Sequence, residues 1–187
     1  MDPAHPTDSA TVIVLRDAGA LSEVLLVQRH TRSRAFGGAH VFPGGVVDAA
    51  DSAPGLHAAS LHVSREAAAA RLDEPIEGAV ALAFWIAAIR ELFEEAGILL
   101  ATIDGTAPAF SDPSLRTRFH DRRTALLAGD LTFAELVAHE RLELATDALE
   151  YWSRWITPVT APRRYDARFF IARMPPDQEP VLSLIHI

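Results

Sequence analysis

The alternation of apolar and polar positions along the chain predicts an α/β protein that combines strands with helices. Residues 11–16 and 23–29 are rich in branched apolar side chains and predict two strands joined by a turn around Gly19. A longer apolar run at 79–89 continues into a polar stretch, which predicts a helix from about residue 78 to 96. The remaining predicted elements are a strand at 41–42, a helix near 64–72, a strand at 98–101, helices at 111–127 and 132–139, and paired strands at 151–156 and 167–172.

Capping residues support the ends of these predicted helices. Ser64 can accept a hydrogen bond from the first turn of the helix that follows it. Thr132, with Glu135 three residues later, has the spacing of a capping box. Gly97 is the residue type expected just past the end of the long helix.

Composition suits one domain with an ordinary core. The chain has 187 residues, 49% of them hydrophobic, and no apolar run reaches the roughly 18 residues of a membrane span. The N-terminus has no secretory pattern, so we expect a cytoplasmic protein with no membrane partner. The absence of cysteine excludes disulfides and cysteine-based zinc sites. The net charge is −8 and the 17 basic residues are all arginines without a basic patch, so no nucleic-acid partner is expected.

Three carboxylates concentrate negative charge on one side of the predicted long helix. At about 100° per residue, Glu91, Glu94 and Glu95 fall within a sector about 100° wide. Like charges at helical spacing repel, so this arrangement stabilises the helix only if a positive charge lies beside it. A hard divalent cation such as Mg²⁺ or Mn²⁺ prefers such oxygen ligands. A solvated acidic face is the alternative that the carboxylates alone leave open.

The residues around these carboxylates resemble the signature of the Nudix hydrolases, Gly-x5-Glu-x7-Arg-Glu-(apolar)-x-Glu-Glu-x-Gly-(apolar). The second half is complete and the opening glycine is Gly45, at the end of a Phe-Pro-Gly-Gly sequence. The matching positions of the second half are Arg90, Glu91, Leu92, Glu94, Glu95, Gly97 and Ile98. The resemblance implies an α-β-α sandwich around a mixed sheet, with one Nudix domain over residues 1–187.

The same resemblance implies roles for the site residues. Mg²⁺ or Mn²⁺ would be held by Glu91, Glu94, Glu95 and the backbone carbonyl of Gly44. Arg90 can reach Glu94 four residues later and orient it. We expect Glu94 to act as the general base, and we count Arg90 as the second catalytic residue.

The middle of the signature departs from the family pattern. Gly45 and Arg90 lie 45 positions apart where the signature has 14, so 31 extra residues are present. We place this insertion at 49–77 and expect it to cover one side of the active site or an oligomer contact. Leu82 stands eight positions before the arginine, where the signature has its early glutamate, and Asp48 is the nearest acid that we find after the glycines.

A second resemblance, to the upstream motif of coenzyme A diphosphatases, narrows the substrate. That motif reads Leu-Leu-Thr-x-Arg-(Ser/Ala)-x3-Arg-x3-Gly-x3-Phe-Pro-Gly-Gly. Its matches in one register are Leu25, Leu26, Arg29, Arg34, Gly38, Phe42, Pro43, Gly44 and Gly45, whereas Val27 and His30 depart from it. The insertion also resembles the acyl-CoA branch of these enzymes. The resemblance implies a substrate site that includes Arg29, Arg34, Gly38, Phe42 and Gly45, with the two arginines facing the phosphates of the 3′-phospho-ADP half.

The expected function is therefore a metal-dependent diphosphatase that cleaves CoA or acyl-CoA to 3′,5′-ADP and (acyl-)phosphopantetheine. Three alternatives remain: a Nudix hydrolase of another nucleoside-diphosphate-linked substrate, a non-catalytic nucleotide-binding module on the same fold, and a helical interaction protein with an acidic face. The partner is a small molecule with a diphosphate, and a homodimer is left open.

The end of the chain differs from the expected family pattern. Pro175, Pro176 and Pro180 interrupt it, and residues 181–187 form a short apolar stub. A Nudix fold would continue with a strand and a helix that covers the sheet. We therefore expect a C-terminal truncation or a non-native end over 181–187, and a poorly soluble, unstable or weakly active chain of this length.

Overall fold

The main sheet is built around one long strand. In the computed structural model, which describes residues 5–19, 21–28 and 38–181, β1 (Thr7–Ala18) pairs antiparallel with β2 (Leu21–Val24) and with β5 (Gly44–Val46). Its other edge pairs parallel with β9 (Tyr165–Arg173), and β9 pairs antiparallel with β8 (Glu150–Ile156). The five-stranded sheet therefore mixes parallel and antiparallel pairs, as expected, and the chain belongs to the α+β class.

Four short strands, five α-helices and two 3₁₀ turns, at Ala49–Ser52 and Thr146–Ala148, complete the described elements. β3 (Val27–Gln28) pairs with β4 (His40–Val41), and β6 (Ala101–Ile103) pairs with β7 (Leu142–Leu144), both antiparallel. The helices are α1 (Pro54–Ala59), α2 (Arg65–Leu72), α3 (Gly78–Ala96), α4 (Pro113–Ala128) and α5 (Phe133–His139). Ser64 accepts a hydrogen bond from Ala67 N, and Thr132 and Glu135 form the expected capping box.

The core lies between α3 and one face of the main sheet. Thirteen of the 19 residues of α3 are buried, including Trp85, which makes an edge-to-face contact with Phe170 of β9 at 4.8 Å between ring centroids. Val12 and Val14 of β1 point to the same buried face. The prediction that Trp85 belongs to the core is confirmed. Trp152 and Trp155 of β8 are exposed.

The inserted residues pack against the domain. A 3₁₀ turn at Ala49–Ser52 and the helix α2 both lie against α3. The insertion is also joined to the sheet electrostatically, because Arg168 of β9 donates to the nearly buried carboxylate of Glu74. Arg154 of β8 pairs with Glu74 as well, at 3.0 Å.

Several predicted elements were misplaced. Residues 54–59, for which no element was predicted, form the short helix α1, because proline suits the first helical position. The strand expected at 98–101 begins instead at Ala101. The side-chain amide of Gln178 accepts from Leu99 N at 2.8 Å and donates to Leu99 O at 3.0 Å, so both backbone groups of Leu99 bond to a side chain and not to a neighbouring strand. The strands β5 and β7 were missed. Residues 182–187, and with them most of the stub expected at the chain end, lie outside the described residues.

None of the described helices has the length and apolar character needed to cross a membrane.

Candidate active site

The second half of α3 lies directly against β5. The backbone N–H of Gly44 donates to Glu95 Oε2 at 3.0 Å. A Cβ built on Gly45 would lie 2.5 Å from Glu91 Cδ, inside the contact distance of both groups. The Gly-Gly pair is held in place because β5 is a paired strand, in which Gly44 lies opposite Thr11 and Gly45 opposite Ala10. The structure thus brings Glu91, Glu95, Gly44 and Gly45 together.

Arg90 joins these acidic residues into one network. Its Nη1 donates to Glu91 at 2.7 Å and to Glu94 at 3.4 Å, so the predicted contact with Glu94 is present but is the longer of the two. Its Nη2 also donates to the backbone carbonyl of Val46 in β5. Burial alone would lower the pKa of Arg90, but the hydrogen bond with Asp51 and the charge of Glu91 outweigh it and raise the pKa. Arg90 therefore stays positively charged between the carboxylates.

Asp51 is a site residue that the sequence reasoning missed. It is 1% exposed, and its two carboxylate oxygens accept hydrogen bonds from Arg90 Nε at 2.8 Å and Nη2 at 3.0 Å. Asp48, named from sequence as the nearest acid after the glycines, lies farther from Arg90 at 3.7 Å and is largely exposed. Leu82, at the position counted back from the arginine, is a buried core residue.

The signal for Asp51 was present in the signature. Counted forward from Gly45, the early acid falls six positions later, which is residue 51. The prediction counted back from Arg90, across the extra residues, and so reached Leu82 instead. By this count Asp51 belongs to the signature, so the extra residues lie after it and before Arg90, whereas the insertion was placed from residue 49.

The carboxylates are crowded and shielded from water. Burial raises the pKa of Glu94 to about 7, and Arg90 only partly offsets this effect. Burial also raises the pKa of Glu91. A single arginine therefore does not supply enough positive charge to keep the pKa of either carboxyl at its ordinary value.

The donor set fits a divalent cation of the kind that prefers oxygen. Carboxylate oxygens of Glu91 and Glu94 both accept from Nη1 of Arg90. When both side chains are ionised, their two negative charges face one arginine, and a cation would supply the further positive charge. Within the described ranges, no group of three or more Asp, Glu, His or Cys side chains is already arranged as a metal cluster. Glu95 bonds to Gly44 N in this arrangement.

The predicted substrate residues are only partly covered by the structure. Arg29 and Arg34 lie outside the described residues. Gly38 adopts a positive φ of 79°, and its carbonyl lies 3.4 Å from the Gln28 side-chain amide that donates to it. Phe42 is half-buried just before Pro43, whose carbonyl accepts from Val12 N at 2.8 Å.

This arrangement of a Gly-Gly strand and a carboxylate-bearing helix is that of a Nudix hydrolase. The family model described as the NUDT19 Nudix domain matches residues 9–183, so the chain belongs to that family. It is 34% identical to the acyl-coenzyme A diphosphatase NUDT19 of Gallus gallus over 186 residues, covering 80% of this chain and 47% of that protein. The Homo sapiens protein of the same name is also 34% identical, over 86% of this chain and 50% of that protein.

One solved structure agrees closely with this fold. The crystal structure of a NUDIX hydrolase from Alicyclobacillus acidocaldarius is 27% identical, with a TM-score of 0.73 over 96% of this chain and 74% of that one. The chain spans about half the length of the curated relatives that it matches.

Proposed function

We propose that this chain is the catalytic domain of a metal-dependent diphosphatase that cleaves CoA or acyl-CoA to 3′,5′-ADP and (acyl-)phosphopantetheine. One observation carries the proposal: Arg90, Glu91 and Glu95 of one helix meet Gly44 and Gly45 of one strand. The names of the relatives and the upstream motif that ends in this Gly-Gly pair support the choice of CoA.

Glu91, Glu94, Glu95 and the Gly44 carbonyl would hold Mg²⁺ or Mn²⁺ against the diphosphate. When bound, the cation supplies positive charge that offsets the phosphates and polarises the phosphorus under attack. Gly45 leaves room for the Glu91 carboxylate beside the strand. Glu95 could offer a carboxylate oxygen to the cation while Oε2 keeps its hydrogen bond with Gly44 N.

Arg90 and Asp51 hold the carboxylates in place. Asp51 fixes the guanidinium through two hydrogen bonds, and the guanidinium in turn orients Glu91 and Glu94. We assign Glu94 as the general base. A water oxygen adds to one phosphorus, the bond from that phosphorus to the bridging oxygen breaks, and the water proton passes to the Glu94 carboxylate.

Arg29 and Arg34 are assigned to the phosphates of the 3′-phospho-ADP half, because a guanidinium makes paired contacts to phosphate oxygens. Gly38 and Phe42 belong to the same motif and complete the proposed substrate side. We also expect a cytoplasmic protein that acts on a small molecule, without a nucleic-acid or membrane partner.

The metal requirement is tested by the variants Glu91→Gln and Glu95→Gln. Hydrolysis of CoA, acyl-CoA, ADP-ribose, NADH and nucleoside triphosphates is measured with Mg²⁺ and with EDTA. Both variants should lose at least about 100-fold in kcat, because they remove a ligand oxygen charge from a preorganised site. The matched control is Glu66→Gln, which removes one exposed carboxylate from α2. Unchanged turnover of both variants at saturating Mg²⁺ would contradict the metal site.

The substrate assignment is tested by Arg34→Ala. It should raise KM for CoA by about tenfold, the worth of one charge-assisted contact, and leave KM for dephospho-CoA nearly unchanged. Arg71→Ala, which removes an exposed arginine from α2, is the control. Equal effects on both substrates would remove the proposed contact, and a preference for ADP-ribose would assign the chain to another substrate.

A further inference from the structure

The positive charge beside the C-terminal end of α3 belongs to an arginine of another helix. The last four carbonyls of any α-helix lack partners within the helix, and that end carries partial negative charge. The last turn of α3 contains Phe93, Glu94, Glu95 and Ala96 and has no basic residue of its own. Gly97 N, just past the helix, donates to the carbonyl of Phe93 at 2.9 Å. The carbonyls of Glu94, Glu95 and Ala96 must therefore find partners elsewhere in the fold.

Arg123 of α4 supplies most of them. Its Nε donates to the carbonyls of Phe93 and Glu94, both at 2.9 Å, and its Nη2 donates to the carbonyl of Glu95 at 3.2 Å. The fourth carbonyl, of Ala96, accepts from Val181 N at 2.8 Å. One guanidinium thus binds three successive carbonyls, two of which belong to proposed metal ligands.

Arg123 differs from the other arginines of its helix. It is 4% exposed, and none of the ion pairs formed within the described ranges includes it. Its neighbours Arg118 and Arg122 are more exposed and pair with the buried carboxylate of Glu140 instead, at 3.2 and 2.8 Å. The buried charge of Arg123 is therefore balanced by the carbonyl dipoles at the end of α3 together with the charge of Glu94.

We propose that Arg123 is a positioning residue that fixes the last turn of α3, and with it the Glu94 and Glu95 side chains, in the geometry that binds the divalent cation. This inference rests on the proposed function. It follows from geometry, because a guanidinium anchored on three carbonyls leaves the backbone of residues 93–95 little freedom to rotate. The Glu95 side chain that leaves this backbone accepts from Gly44 N of β5, and the Glu94 side chain accepts from Arg90.

The test uses Arg123→Met, which keeps the length of the side chain and removes its charge and donors. Mn²⁺ binding to the metal-free protein is measured by electron paramagnetic resonance, and kcat and KM are measured with CoA. We expect the Kd for Mn²⁺ to rise at least about tenfold and kcat to fall at least about tenfold, with KM within about threefold, since misplacement of about 1 Å has effects of this size or larger.

Two control variants separate positioning from general loss of structure. Arg122→Met removes the same charge from the same helix but breaks only the contact with Glu140. Phe119→Leu loosens the aromatic contact between α4 and Phe93 of α3, whose ring centroids are 6.4 Å apart, without removing a donor to the carbonyls. Neither should change the Kd for Mn²⁺ by more than about twofold, although Phe119→Leu should lower the melting temperature.

The outcomes are distinct. A folded Arg123→Met protein with wild-type Mn²⁺ affinity and kcat would overturn the inference. If Arg123→Met does not fold, Arg123→Lys is measured instead, because a single ammonium cannot span three carbonyls. A Kd for Mn²⁺ above that of the wild type supports the inference, and a wild-type Kd overturns it.

Failure of the proposed function would be recognised separately. A wild-type protein that binds Mn²⁺ but cleaves no diphosphate would refute the substrate, while the effect of Arg123→Met on Mn²⁺ affinity still tests the inference. If the wild type binds no Mn²⁺, the inference is tested by the rate of hydrogen exchange at the backbone amides of residues 93–97. Faster exchange in Arg123→Met than in Arg122→Met supports positioning, and equal exchange overturns it.

Discussion

Gly45→Ala tests the contact between β5 and α3 most directly. The added Cβ would lie 2.5 Å from Glu91 Cδ, whereas carbon atoms in contact are about 3.5–4.0 Å apart, so the carboxylate must move by about 1 Å or more. That movement breaks its 2.7 Å hydrogen bond with Arg90. A charge-assisted hydrogen bond contributes about 1.5–3 kcal/mol, which sets the upper limit of the expected loss in the free energy of unfolding.

The expected loss of activity is larger than the loss of stability suggests. A displacement of about 1 Å in a catalytic arrangement can cost about 100-fold, so kcat for CoA should fall by about that factor. The assay is Mg²⁺-dependent release of 3′,5′-ADP, with the free energy of unfolding measured in urea. Gly45→Ala should remain folded, because the group it displaces is the end of a flexible side chain.

Two other glycines serve as controls. Gly55→Ala places a methyl group where no atom lies within 4 Å, so activity should be unchanged and stability equal or higher. Gly44→Ala would bring a Cβ to 2.7 Å from Thr11 Cα, so it should separate β5 from β1 and lower stability more than Gly45→Ala does. Activity of Gly45→Ala within about threefold of wild type would refute the reasoning.

Two further predictions concern the charges of the site. Asp51→Asn should lower the free energy of unfolding by about 3–5 kcal/mol, because it leaves the charge of Arg90 buried without its main partner. The control Asp48→Asn, at a largely exposed position, should lower it by about 1 kcal/mol or less. Equal losses for the two variants in urea unfolding would contradict the role of Asp51. In the metal-free protein, burial raises the pKa of Glu94 to about 7, so the folded state keeps a proton that the unfolded chain releases above about pH 4.5. The free energy of unfolding should therefore fall as the pH rises from about 4.5 to 7, by at most about 3 kcal/mol. Glu94→Gln, measured in EDTA, should make this fall smaller. Parallel curves of unfolding free energy against pH for the wild type and Glu94→Gln would refute the prediction.

Local spacing made much of the site predictable from sequence. The helix Gly78–Ala96 was predicted with its bounds, because apolar periodicity and a terminal glycine are properties of neighbouring residues. The placement of Glu91, Glu94 and Glu95 on one side follows from the same periodicity. The capping residues Ser64 and Thr132 were predicted for the same reason, since each bonds to a residue three positions away.

Contacts between distant residues were decided only by the tertiary structure. Asp51 pairs with Arg90 across 39 positions, and Arg123 reaches back 30 positions to the carbonyl of Phe93. The Gln178 side chain bonds to Leu99 across 79 positions and thereby prevents the strand expected at 98–101 from starting there. In each case the sequence determined which groups could donate or accept a hydrogen bond, but the packing of the helices against the sheet determined which partner they met.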